Sequence, residues 1–148
     1  MKMADFAIST SGPFFRTQSG SITGVIFASS DGFDFPEKGW RDFVPIVLGW
    51  WLEAVNLLTS DGRCTLNFMD GPYEIRVLRE ALNVRLTFLS RTVKDDNPEH
   101  EIVIAMSLFV RRMVEAGKAA AITLEADGYA IEASALMRAV MAVDQAVR

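Results

Sequence analysis

Histidine and cysteine are the side chains that most often do chemistry near neutral pH, and this chain has one of each. His100 lies in the acidic stretch "NPEHE", which is typical of a helix start, so we interpret it as a solvated or helix-capping residue. Cys64 shares one side of a predicted strand with Leu66 and Phe68, which indicates a buried, inert thiol. Neither residue is predicted to be catalytic.

The other common signatures of catalysis are missing from the sequence. The early glycines, at positions 12 to 32, fit neither the dinucleotide-binding nor the P-loop spacing. The Cys and His residues form no cluster with metal-site spacing. Carboxylate pairs such as Asp95 with Asp96 or Asp70 with Glu74 are typical of solvated loops. The sequence therefore predicts a non-enzymatic protein with no cofactor and no metal.

The amino-acid composition limits the classes of protein to which this chain can belong. Half of the 148 residues are hydrophobic and 23% are charged, which favours a folded globular chain, and the length suits a single domain over residues 1–148. The longest apolar region, residues 43 to 58, is interrupted by proline and polar residues, whereas a membrane span takes about 20 apolar residues. We therefore expect no membrane span.

Charge and cysteine content suggest a partner and a compartment. The net charge of −4 argues against nucleic-acid binding, which relies on a basic surface, and would suit a basic protein partner better. Such mild acidity is also common among soluble cytoplasmic proteins, and we favour that general interpretation. A single cysteine cannot form an internal disulfide, and the first residues do not resemble a signal peptide. The expected compartment is the reducing cytoplasm.

The pattern of elements predicts an α+β fold. Phe6 and Ile8 indicate a first strand and residues 22–28 a second, with turns at "SGP", "QSGS" and "SSDGFDFPEKG". A helix is predicted over 43–59, with Asp42 as its N-cap and Pro45 in its first turn. Alternating apolar residues then predict an antiparallel meander over 64–69, 73–79 and 84–89.

The last third is predicted to be mainly helical. Asn97 and Pro98 give a helix-start signal, while residues 101–106 suit either a strand or a helix. Helical periodicity is clear from Met106 to a stop at Gly128, and again over 130–147. We therefore expect one antiparallel sheet of about four to five strands, packed against a long buried helix and two C-terminal helices.

The predicted first helix carries two adjacent tryptophans. Neighbouring residues point about 100° apart, so the two indoles occupy different environments. Trp51 lies opposite a polar stripe through Gly49, Glu53 and Asn56 and is assigned to the core. Trp50 lies at the border of that stripe. It either anchors a partner or roofs the core while its indole N–H reaches a carbonyl or water, and we favour the second interpretation.

Two polar surfaces are further candidates for binding. Arg76 and Arg85 belong to a polar face of the predicted meander, for which we favour a cross-strand charge ladder over an anion or protein site. The acidic segments 31–37 and 95–101 suit a basic partner through electrostatic steering. Their candidate residues are Asp34, Glu37, Asp95 and Asp96.

Two stretches carry a resemblance: "WRDFVPIVLGWW" at 40–51 and "LNFMDGPYEIRV" at 66–77. They resemble segments of small uncharacterised bacterial proteins, some of which are suspected immunity proteins of polymorphic toxin systems. The resemblance implies a cytoplasmic inhibitor that occludes a basic, toxin-like protein and has no chemistry of its own.

Two alternatives to this hypothesis remain open. One is a small-molecule or anion-binding protein that uses the arginine-bearing sheet face or a pocket between sheet and helices. The other is a homo-oligomer with a structural role.

Overall fold

The computed structural model describes residues 4–91 and 96–146. The chain is α+β, as predicted, but its strands form two antiparallel sheets instead of one. The strands are β1 Ala7–Arg16, β2 Ile22–Ser30, β3 Phe33–Phe35, β4 Arg41–Asp42, β5 Arg63–Asn67, β6 Tyr73–Glu80, β7 Asn83–Arg91 and β8 Asp96–Ala105. The helices are α1 Val44–Asp61, α2 Met106–Ala126 and α3 Ala130–Ala146.

The first sheet has the order β1-β2-β3, and the short β4 also pairs with β2. The "SGP" sequence was expected to be a turn, but it lies inside β1, where the pairing register with β2 shifts between Ser11 and Phe15. A bulge of this kind absorbs residues that disfavour regular pairing without ending the strand. The two predicted strands of this region therefore exist, and the first is longer than expected.

The second sheet is a meander in the order β5-β6-β7-β8. The three predicted strands at 64–69, 73–79 and 84–89 are confirmed. The helix start expected at Asn97 and Pro98 is wrong, because these residues belong to β8 and pair with Ser90 and Leu89 of β7. The uncertain segment 101–106 is strand up to Ala105. Pairing with a ready-made strand outweighs the local helix signal.

Helix α1 lies at the centre of the molecule. It packs against both sheets and both other helices, as its nearly continuous apolar surface predicts. Buried residues from both sheets and all three helices form one contiguous core. The position of α1 leaves only one strip of its surface to solvent.

Asp42 was expected to cap α1, but the N-cap is Phe43 and no side chain caps the helix. The Asp42 carboxylate is buried and accepts N–H donors from three sites. They are the Phe43 backbone at 2.7 Å, the Trp40 indole at 3.2 Å and the Asp70 backbone at 3.1 Å. Asp42 therefore joins the first sheet, the start of α1 and the turn between β5 and β6.

Candidate functional site

The two tryptophans of α1 have opposite environments. Trp51 is fully buried, and its indole N–H donates to the Asn67 carbonyl oxygen at 2.7 Å. Trp50 is 44% exposed, and its indole N–H has no hydrogen-bond partner in the described part of the chain. The core assignment of Trp51 is confirmed. The N–H of Trp50 reaches no carbonyl in the described residues, but its exposure gives it access to water, so the roof and the anchor interpretations both stay predictions.

Trp50 belongs to a larger exposed apolar surface. Ile46 is 38% exposed and Leu57 is 51% exposed, four residues before and seven after Trp50. With Glu53, these residues lie within about 60° of arc on α1. We call Ile46, Trp50, Glu53 and Leu57 the Trp50 surface. Its position along one helix face makes it a continuous strip rather than a set of scattered side chains.

The Trp50 surface is acidic. The charged residues of α1 are Glu53 and Asp61, both exposed, and the helix sequence has no lysine or arginine. Beside Ile46 and Pro45 lies a shallow depression of about 150 Å³. Its rim carries the ion pair between Arg16 and Glu132, whose Nη2 and Oε2 atoms are 3.2 Å apart. An apolar centre with an acidic neighbour and a polar rim is the usual layout of a protein interface.

The polar face of the second sheet is an ion-pair ladder, which is the interpretation favoured from the sequence. Arg85 contacts Glu80 at 3.1 Å and Glu101 at 2.7 Å, and these carboxylates raise the pKa of the guanidinium. Arg76 Nε lies 3.0 Å from Glu74 Oε2. The arginines of this face are therefore largely neutralised within the protein.

Glu74 is the buried member of this ladder. Its side chain is 5% exposed, between Arg76 and Arg91, and its Oε1 lies 3.3 Å from Arg91 Nε. The two guanidinium groups offset the free-energy cost of burying the Glu74 charge. We therefore interpret this carboxylate as part of the structure of the sheet.

The residues of the acidic segments 31–37 and 95–101 differ in their exposure and partners. Asp34 is half-buried and accepts a hydrogen bond from the Ser29 hydroxyl at 2.9 Å, while Glu37 is exposed. Asp96 opens β8, and Asp95 lies outside the described residues. The two segments are neighbours, because the rings of Phe33 and His100 are 4.5 Å apart between centroids.

His100 and Cys64 lie in different surroundings. His100 is half-buried against Phe33 within β8, so the helix-capping interpretation is wrong. Cys64 is buried, as predicted, and burial raises the pKa of its thiol to about 12. Such a thiol carries almost no thiolate at neutral pH and is a poor nucleophile.

Sequence reasoning named Trp50 but not Ile46 and Leu57 as site residues. The available signal was their spacing of four and seven residues from Trp50, which places all three on one helix face. The spacing does not show which face of α1 the other elements leave exposed to solvent.

The described residues contain no group of three or more His, Cys, Asp or Glu side chains placed to hold a metal ion. Among the helices in residues 4–91 and 96–146, none is both long and apolar enough to cross a membrane. Comparison with family models, with curated proteins and with solved structures finds no match.

Proposed function

We propose that this protein is a non-enzymatic protein-binding module whose partner covers the Trp50 surface. The observation that carries the proposal is a half-exposed tryptophan, whose N–H has no partner among the described residues, aligned with two other exposed apolar side chains. Tryptophan is enriched among the residues that dominate binding energy at protein interfaces. A partner that covers Trp50 gains about 2 kcal/mol from this side chain, at about 25 cal/mol per Å² of apolar surface.

The charges around Trp50 favour a basic partner. Glu53 lies within the Trp50 surface, Asp61 ends the same helix, and the whole chain has a net charge of −4. A lysine or arginine beside an apolar side chain would match this arrangement and would speed association by electrostatic steering. Within this proposal, the resemblance to immunity proteins supports a toxin-like partner that is occluded when bound. The single cysteine supports the cytoplasm as compartment.

A second copy of the chain fits the Trp50 surface less well than a basic partner. Two copies of α1 facing each other would bring together two acidic helices with no basic residue of their own. Like charges across an interface oppose association. A homo-oligomer through this surface is therefore a competing outcome of the experiment rather than the proposal.

The test is affinity capture from the native host with three forms of the protein: wild type, Trp50→Ala and Leu78→Ala. Leu78 is a matched control, because it is 45% exposed and lies on the second sheet, outside the Trp50 surface. We expect wild type and Leu78→Ala to recover one stoichiometric basic partner. We expect Trp50→Ala to bind it at least about tenfold more weakly, the loss of about 1.4 kcal/mol or more.

If Trp50→Ala binds the same partner as tightly as wild type does, the proposed site is wrong. Absence of any stoichiometric partner would overturn the proposed function. Light scattering on the purified protein adds a further check. If the wild type is a dimer and Trp50→Ala is a monomer, the Trp50 surface binds a second copy of the chain and the basic partner is excluded.

A further inference from the structure

A cleft of about 690 Å³ lies at one end of the molecule, away from the residues of the Trp50 surface. Its walls come from the β6–β7 hairpin, the first two turns of α2 and the last turns of α1 and α3. The volume falls within the range of small-molecule sites in proteins, about 300 to 1,000 Å³.

The floor of the cleft is apolar. Met106, Val110 and Val114 follow one another on the same face of α2, four residues apart. Leu82, at the tip of the β6–β7 hairpin, lies over this floor and is 81% exposed. A leucine this exposed loses apolar contact with water when an aliphatic chain lies beneath it.

The rim of the cleft carries two cations. Arg79 Nε donates to the Ala81 carbonyl oxygen at 3.2 Å, and the side chain has no carboxylate partner in the described part of the chain. Arg111 has only a long contact with Glu115, 3.8 Å between Nε and Oε1, and both side chains are more than half exposed. Asp144 also lines the cleft, but it has an interaction partner of its own.

We propose that the cleft binds an anionic amphiphile of the medium-chain fatty-acid class. The carboxylate accepts hydrogen bonds from Arg79 and Arg111, and the aliphatic chain lies on Met106, Val110 and Val114. Charge complementarity selects this ligand, since a guanidinium donates charge-assisted hydrogen bonds to a carboxylate, while Met106, Val110 and Val114 offer an aliphatic chain an apolar surface. The inference does not rest on the proposed protein-binding function.

The proposal is tested by titration calorimetry with decanoate below its micelle-forming concentration. Decanol supplies the same chain without the charge, and acetate supplies the charge without the chain. We expect saturable, one-to-one binding of decanoate, with binding of decanol and acetate at least about tenfold weaker. Decanol binding as tight as decanoate, or no saturable binding of decanoate, would overturn the proposal.

Paired variants locate the site. Arg79→Gln with Arg111→Gln removes both rim cations, whereas Arg63→Gln with Arg138→Gln removes two exposed arginines from the second sheet and from α3. Both double variants change the net charge equally. We expect the first to weaken decanoate binding at least about tenfold and the second to leave it unchanged. Equal loss in both, or loss in the second alone, would place the anion elsewhere and overturn the assignment.

Methionine methyl resonances give a readout that does not depend on substitution. Met106 lies on the floor of the cleft, while Met137 and Met141 line a separate groove between α2 and α3. We expect decanoate to shift the Met106 methyl signal and leave the other two in place. Shifts at Met137 or Met141 without one at Met106 would contradict the proposal.

Discussion

At the residue scale, Cys64 shows how a reactive side chain becomes inert through its surroundings alone. The thiol lies on the inner side of β5, with 8% of the residue exposed and with Leu66 and Phe68 on the same side of the chain. Removing a thiolate from water costs free energy, so burial favours the protonated thiol. The raised pKa follows from burial alone.

This raised pKa predicts a pH dependence of stability. Below pH 9.0 the thiol keeps its proton in both states, so its contribution to stability is fully present. As the pH rises from 9.0 towards about 12, the unfolded chain releases this proton while the folded protein retains it, so stability is lost. The free energy of unfolding should fall by about 1.4 kcal/mol per pH unit from this group.

Cys64→Ala removes this contribution and provides the comparison. Urea denaturation at about pH 8, 10 and 11 should show a shallower decline with pH for the variant than for wild type. Equal slopes would mean that the thiol titrates normally in the folded protein.

At the element scale, two helical glycines have different reasons to be glycine. A Cβ added at Gly49 of α1 would meet no atom within 4 Å. A Cβ added at Gly117 of α2 would lie 2.5 Å from Val140 Cγ2 and 3.3 Å from Leu52 Cδ1, so α2 approaches both other helices at this point. Gly117 therefore sets the spacing of the three helices.

The two alanine variants are expected to change stability in opposite directions. Gly49→Ala gains helix propensity and should raise the free energy of unfolding by about 0.5 to 1 kcal/mol. Gly117→Ala gains the same propensity but overpacks the junction, so it should lower that free energy by about 1 to 3 kcal/mol. Urea denaturation of both variants measures the difference. Stabilisation by Gly117→Ala would contradict the prediction, because it would mean that the helices make room for the added methyl group at no cost in free energy.

Elements with a sustained period were predictable from the sequence. The bounds of α1, α2 and α3 and the three strands of the meander agree with their apolar spacing within a few residues. The errors have a common physical cause, since β8 and the bulge in β1 depend on pairing with a neighbouring strand, which local residue preferences do not show. At the candidate site, Trp50 could be named from its angle on the helix, but its exposure depends on where the sheets and helices lie.

At the scale of the whole molecule, Asp42 connects three parts of the fold. Its buried carboxylate receives the N–H groups of Trp40, Phe43 and Asp70, which belong to the segment before β4, the helix start and the β5–β6 turn. A single side chain thus fixes the positions of both sheets relative to α1. Replacing Asp42 therefore removes hydrogen bonds that join different elements of the fold.

Asp42→Ala should destabilise the protein by about 2 to 4 kcal/mol, because it leaves N–H donors without acceptors in a buried region. Asp42→Asn keeps one carbonyl acceptor and should lose less. Asp34→Ala is the control: Asp34 accepts one hydrogen bond from Ser29, so we expect a loss below about 1 kcal/mol. Thermal and urea denaturation measure all three. A loss for Asp42→Ala no larger than that for Asp34→Ala would contradict the connecting role.

The contacts of β1 bear on the order of events when the chain folds. The Phe14 and Arg16 backbone N–H groups donate to Asp127 and to the Tyr129 hydroxyl, and Arg112 donates to the Phe6 carbonyl oxygen. These partners are 106 to 113 residues apart. Closing such long loops is slow, because chain entropy is lost before any contact repays it. On the ribosome, β1 is synthesised long before α2, so the contacts that pack the first sheet against α2 form only when most of the chain has emerged.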